Sequence, residues 1–174
     1  LPLREDGLNS TDEALVSLRT ELSMRALFLN PDCCTVVLAV SLGTLSAMEL
    51  AARSESAQGL DALVLVGCIL ERPIAPLGRI KSIDLIYGGR DHVGYLWPGD
   101  EKIRDIESPQ DYGPRTRRHL VTGPGVTTTM QILPGAGHAL EQRRATALDF
   151  DAATALLTPL LLTRLGVSPP ADLE

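Results

Sequence analysis

The chain has 174 residues, of which 44 % are hydrophobic and 22 % charged, with a net charge of −6 and a pI of about 5.1. That length suits one hydrophobic core and that composition excludes a disordered chain. The acidic balance leaves no electrostatic footprint for a polyphosphate backbone, so nucleic acid is not an expected partner.

In chain order, Ser10 followed by Glu13 forms a capping box, and Ala14, Leu15, Leu18, Leu22 and Ala26 then recur at helical spacing. This predicts a helix over 11–28, ended by Asn30-Pro31-Asp32. The valine-rich runs 34–40 and 62–67 read as strands covered on both faces. Between them, 43–55 reads as a helix with Leu45, Met48 and Ala52 on one face. Residues 82–88 and 127–133 read as a third and a fourth strand, separated by a helical or irregular region over 98–120. An apolar helix over 147–165 closes the pattern at Gly166. Strands alternating with helices predict an α/β domain, a mostly parallel sheet flanked by helices, spanning 1–166 with a tail at 167–174.

Several function classes drop out. The apolar runs at 36–40 and 156–162 fall short of the ~20 residues of a membrane span. Cys33, Cys34 and Cys68 lack C-x-x-C spacing, which points to buried thiols in a reducing compartment and a cytoplasmic location. No two histidines stand at ligand spacing on a helix, so no metal site is expected, and no cofactor is foreseen. Arg115, Arg117 and Arg118 read as a solvated helix face, and His92 and His119 as surface residues.

Chemistry concentrates at three predicted strand ends, where open α/β sheets gather their functional groups. Ser41 lies between the first strand and the following helix, in the frame Ala39-Val40-Ser41-Leu42-Gly43. A turn this tight strains its central residue and favours small neighbours two positions away, while the first helical amides, chiefly that of Leu42, face a developing oxyanion. Ser41 is equally suited to being a plain helix N-cap. A nucleophilic serine needs a base, and the base an orienting acid. Gly88-Gly89-Arg90-Asp91 supplies a carboxylate after the third strand, and Pro134-Gly135-Ala136-Gly137-His138 an imidazole after the fourth. Asp84, mid-strand, reads either as a buried structural carboxylate or as a sign that the strand bounds are off by a few residues. Tyr87, Tyr95 and Trp97 flank the acid, either lining the leaving-group side or packing the core.

The runs "VVLAVSLGTLSAMELAA", "IDLIYGGRD" and "LPGAGHALE" resemble the nucleophile elbow, acid turn and histidine loop of the α/β-hydrolase superfamily, and "LPLREDGLNS" loosely resembles the loop after its fourth strand. The resemblance covers about 1–165. It implies Ser41 as nucleophile, His138 as base, Asp91 as the carboxylate that fixes the imidazole, with Asp100 as a reserve acid, and a carboxylic ester or thioester as a small-molecule substrate. It also implies that the family's first three strands, and with them the second oxyanion amide, have no counterpart here. One such donor is worth about 3 kcal/mol in the transition state. The strand at 34–40 is then an apolar edge, to be completed by a preceding segment or by a second copy in a homodimer. The short connection after Gly67 leaves no room for a helical lid. The alternatives are an acyltransferase or acyl-carrier thioesterase, some of which likewise carry alanine two positions before the serine, and a non-catalytic or split domain used in assembly.

Overall fold

A computed structural model describes residues 34–52, 60–76, 80–95, 104–144 and 147–168. The predicted helix at 11–28 and the loop before it lie outside them. In chain order the described elements are β1 (Val36–Val40), α1 (Leu42–Ala51), β2 (Ala62–Val66), β3 (Ser82–Gly88), β4 (Val93–Tyr95) and β5 (Arg104–Glu107), followed by α2 (Pro109–His119), β6 (Thr127–Leu133), β7 (Gln142–Arg144), β8 (Ala147–Asp149) and α3 (Asp151–Arg164).

Four of the strands build one parallel sheet in the order β1-β2-β3-β6, which makes the chain an α/β protein. Side chains alternate between its faces, as the period of two requires. Leu63, Leu65, Ile83, Leu85 and Tyr87 pack with Met48 of α1 and Tyr112 of α2. Val64, Val66 and Ile86 meet Ala153, Leu156 and Leu160 of α3 on the opposite side. Because both faces of β2 and β3 are covered, each of their residues is buried; β2 reads as an unbroken apolar run, and β3 as an apolar run interrupted by Asp84.

β1 stands at the edge of the sheet, the place the resemblance implied for it, but is not covered on both faces by the described residues as its valine-rich run suggested. As the end strand it pairs only with β2 among the described residues, and Leu38 and Val40 remain 43 % and 42 % exposed. The two antiparallel hairpins, β4 with β5 and β7 with β8, were absent from the sequence reading, since strands of three or four residues carry no measurable apolar alternation. For the same reason the last helix begins at Asp151 instead of 147: residues 147–149 are committed to β8, and Asp149 Oδ1 accepts the Asp151 N–H at 2.8 Å.

Asp84 proves to be structural. It is fully buried on β3, where Arg164 at the end of α3 donates to both of its oxygens at 2.8 Å and Thr129 Oγ1 donates at 2.6 Å. A buried carboxylate is tolerated when its lone pairs are met in this way, and the planar guanidinium fork matches it bidentately. The pair fixes the last turn of α3 against the sheet. Removing one partner strands the other charge, so Arg164→Ala is expected to lower the unfolding free energy by about 3–5 kcal/mol in urea titrations. Arg117→Ala, on the exposed face of α2, is expected to change it by no more than about 0.5 kcal/mol.

Candidate functional site

The parallel register sets the carboxyl ends of the strands side by side. Val40 lies opposite Val66, Val66 opposite Ile86, and Gly88 opposite Leu133. The next residues of β1 and β2, Ser41 and Gly67, and the turns after β3 and β6 therefore share one rim.

Ser41 extends the β1 ladder by one bond, its N–H donating to Val66 O at 2.9 Å, and then reverses the chain with φ +54°. That left-handed conformation costs a residue with a Cβ about 1–2 kcal/mol. Its carbonyl, not its hydroxyl, accepts the Thr44 N–H at 2.9 Å and Thr44 Oγ1 at 2.6 Å. An N-cap serine has extended dihedrals and accepts an amide on its side-chain oxygen. Ser41 does neither, which removes the plain-cap alternative. The N–H groups of Leu42 and Gly43 open α1 and have no carbonyl one turn earlier in the helix. The expected steric reason for Gly43 does not hold among the described residues, where a Cβ at that position meets nothing within 4 Å.

The turns that carry Asp91 and His138 are bound to each other through the backbone. Gly89 N–H donates to Leu133 O and Arg90 N–H to Ala136 O, both at 2.8 Å, and Asp91 N–H closes its own turn on Gly88 O at 2.9 Å. Gly88 is required by this crossing: a Cβ would collide with Gly137 O and lie 2.6 Å from Ala136 O. Across the contact, His138 Nδ1 is 2.9 Å from Asp91 Oδ1, while Asp91 itself is buried. The ring sits over Gly67, where φ is +66° and a Cβ would stand 2.9 Å from His138 Cε1. Asp91 thus holds the neutral imidazole with its proton on Nδ1, leaving Nε2 as the basic nitrogen. Among the described residues the Ser41 hydroxyl makes no hydrogen bond to His138.

The other oxygen of Asp91 is held from α2. Tyr112 Oη lies 3.0 Å from Asp91 Oδ2 and 2.8 Å from the Asp91 carbonyl. The Tyr112 ring stands edge-on to Tyr87 at 5.3 Å and 78°, and the Tyr87 hydroxyl donates to Cys68 O at 2.8 Å, one residue beyond Gly67. Tyr87 is therefore a core residue instead of a pocket wall. Burial pushes the Cys68 thiol up to about 11, against a smaller opposing effect of its hydrogen bond to Thr44, so it stays protonated and unreactive. The hydrogen bond to Asp91 raises His138 above the ordinary histidine value; partial burial opposes it, and the charges of Asp91 and Glu141 add to it.

The remaining expectations divide. His92 is exposed, as foreseen. His119 is half-buried, with Nδ1 2.6 Å from Leu70 O, and so belongs to the packing of α2 against 68–74. Arg117 and Arg118 face solvent, but Arg115 reaches both oxygens of Glu107 at 2.7 Å. Cys34 is half-buried and donates to Arg164 O at 3.1 Å. Cys33, Trp97, Asp100 and the Tyr95 side chain lie outside what is described. Among the described residues no three His, Cys, Asp or Glu side chains are grouped to hold a metal ion. Also among them, no helix is long and apolar enough to cross a membrane. Sequence reasoning missed Gly67 and Tyr112. The first looked like an ordinary strand end, and the second lies in a polar run without periodicity. The chain matches no protein-family model, no curated protein and no solved structure.

A hydrogen bond to a buried charge is worth about 1.5–3 kcal/mol. Tyr112→Phe, which keeps the edge-on ring, is expected to lose that much in chemical denaturation, whereas Tyr87→Phe, whose hydroxyl meets only neutral groups, the Cys68 carbonyl and the Thr116 hydroxyl, is expected to lose about 0.5–1.5 kcal/mol.

Proposed function

We propose that the chain is a serine hydrolase of the α/β-hydrolase type, cleaving a carboxylic ester or thioester through an acyl-enzyme on Ser41. The observation that carries this reading is the buried Asp91 bonded to His138 above Gly67, at the same rim as the left-handed Ser41. Buried carboxylate, half-exposed imidazole and serine on a strained strand-to-helix turn, in that spatial order, are the parts that general-base activation of a hydroxyl needs.

In the proposed reaction Ser41 Oγ bonds to the carbonyl carbon as its proton passes to His138 Nε2. Negative charge collects on the former carbonyl oxygen, and the Leu42 N–H donates to it. The C–O or C–S bond to the leaving group then breaks, and the leaving group takes the proton from Nε2. Water next attacks the acyl carbon, giving a proton to Nε2. Collapse releases the carboxylic acid and returns that proton to Ser41 Oγ. Asp91 stabilises the imidazolium formed twice along this path without itself taking the proton.

Among its described residues the connection from Gly67 toward β3 contains no helix, which favours small or extended acyl substrates that enter from solvent. The outer edge of β1, which has no strand partner among the described residues, supports completion of the sheet there by a further segment or a second copy.

Turnover of short nitrophenyl esters and covalent labelling by a fluorophosphonate probe test the proposal. Ser41→Ala is expected to abolish both, and activity that persists in this variant refutes the assignment. Because Nε2 accepts a proton only when neutral, kcat/KM is expected to rise with pH through a midpoint above the ordinary histidine value of 6.5. Asp91→Asn is expected to move that midpoint to lower pH and reduce kcat by roughly 10³–10⁴.

A further inference from the structure

We propose that Glu141 is a positioning residue for His138: its carboxylate folds back onto the backbone of the turn 137–141, keeps that turn closed around the histidine, and leaves a negative charge within the histidine's own turn. The functional meaning of this inference rests on the reading of His138 as the base, but the observable that tests it does not.

The turn is strained and held from several sides. Leu140 adopts φ +64°, a conformation that costs a β-carbon-bearing residue about 1–2 kcal/mol and survives only where the surroundings impose it. The Leu140 side chain supplies one constraint, buried with Val64, Val66 and Ile86 on the α3 face of the sheet. Backbone bonds supply a second: Gly137 N–H donates to Glu141 O at 2.7 Å and Leu140 N–H to Gly137 O at 3.1 Å. The third is the carboxylate of Glu141, whose Oε2 accepts the Ala139 N–H at 2.9 Å. It lies so close over Gly137 that any Cβ there would collide with it. His138 is thus flanked by a glycine that accommodates the carboxylate and an alanine whose amide is tied to it.

This placement has an electrostatic consequence for the ring. Among the described residues, the charged groups acting on His138 are Asp91, across the contact with the acid turn, and Glu141, within its own turn; Gly67 beneath contributes none. Asp91 bonds Nδ1 directly, so Glu141 acts on the imidazolium through space, an interaction that salt weakens because the ring is 46 % exposed. Glu141 therefore both sets the geometry of the loop and favours the protonated ring at the moment a proton arrives from the hydroxyl.

The test is an NMR titration of the three imidazoles in the whole chain, with the His138 signals assigned through His138→Gln. Glu141→Gln keeps an oxygen for the Ala139 N–H but removes the charge. It is expected to lower the His138 midpoint by roughly 0.3–1 pH unit at low salt and less at high salt, leaving His92 and His119 unmoved. Gly137→Ala keeps the charge but displaces the carboxylate, and is expected to lower the same midpoint. Unchanged midpoints in both variants overturn the inference. A lowered midpoint in a protein that hydrolyses no ester upholds the positioning and counts against the hydrolase reading, while hydrolysis with unchanged midpoints does the reverse.

Discussion

Backbone contact between two turns governs the arrangement of this rim. The turn after β3 and the loop after β6 approach so closely at Gly88 that no side chain fits, and two N–H groups cross from the first to carbonyls of the second. Asp91 and His138, forty-seven positions apart, are brought within hydrogen-bond distance by this crossing, not by any attraction of their own. An exposed carboxylate and imidazole would gain well under 1 kcal/mol from meeting in water. Here the carboxylate is buried and held from two directions, so the pair is preorganised and its geometry costs nothing further when a proton moves.

The rest of the sheet serves that crossing. β2 and β3 are covered on both faces and form the rigid centre, while the Asp84 to Arg164 pair fixes α3 on one side and the two edge-on tyrosines tie α2 to the other. Tyr112 belongs to both systems, since its ring packs in the core and its hydroxyl reaches Asp91. The functional residues are consequently not an addition to the fold. Asp91 is joined to its most buried layer through Tyr112, and the strain at Leu140 is sustained by the packing of its side chain.

Much of this was legible in the chain itself, and for identifiable reasons. The bounds of β3 and β6 follow from runs rich in isoleucine, leucine and threonine closed by glycine or proline, and Ser41, Asp91 and His138 fall past such runs, where turn residues cluster. Long-range closeness left no such mark. Nothing in the local pattern around Tyr112 announces that its hydroxyl meets a carboxylate twenty-one positions earlier, and Gly67 reads like any strand end until the imidazole is placed over it. Short hairpins were invisible because three residues cannot display a period. The edge position of β1 was foreseen only through resemblance, since its sequence, like that of β2, is uniformly apolar.

The most direct test of the central claim is a crystal structure of the protein after treatment with a fluorophosphonate. The account predicts phosphorus bonded to Ser41 Oγ, a phosphonyl oxygen facing the Leu42 amide, and His138 held over Gly67 with Nδ1 on Asp91 and Nε2 toward the modified oxygen. An adduct on another residue, or a His138 ring turned away from Ser41 while the serine is modified, would contradict it.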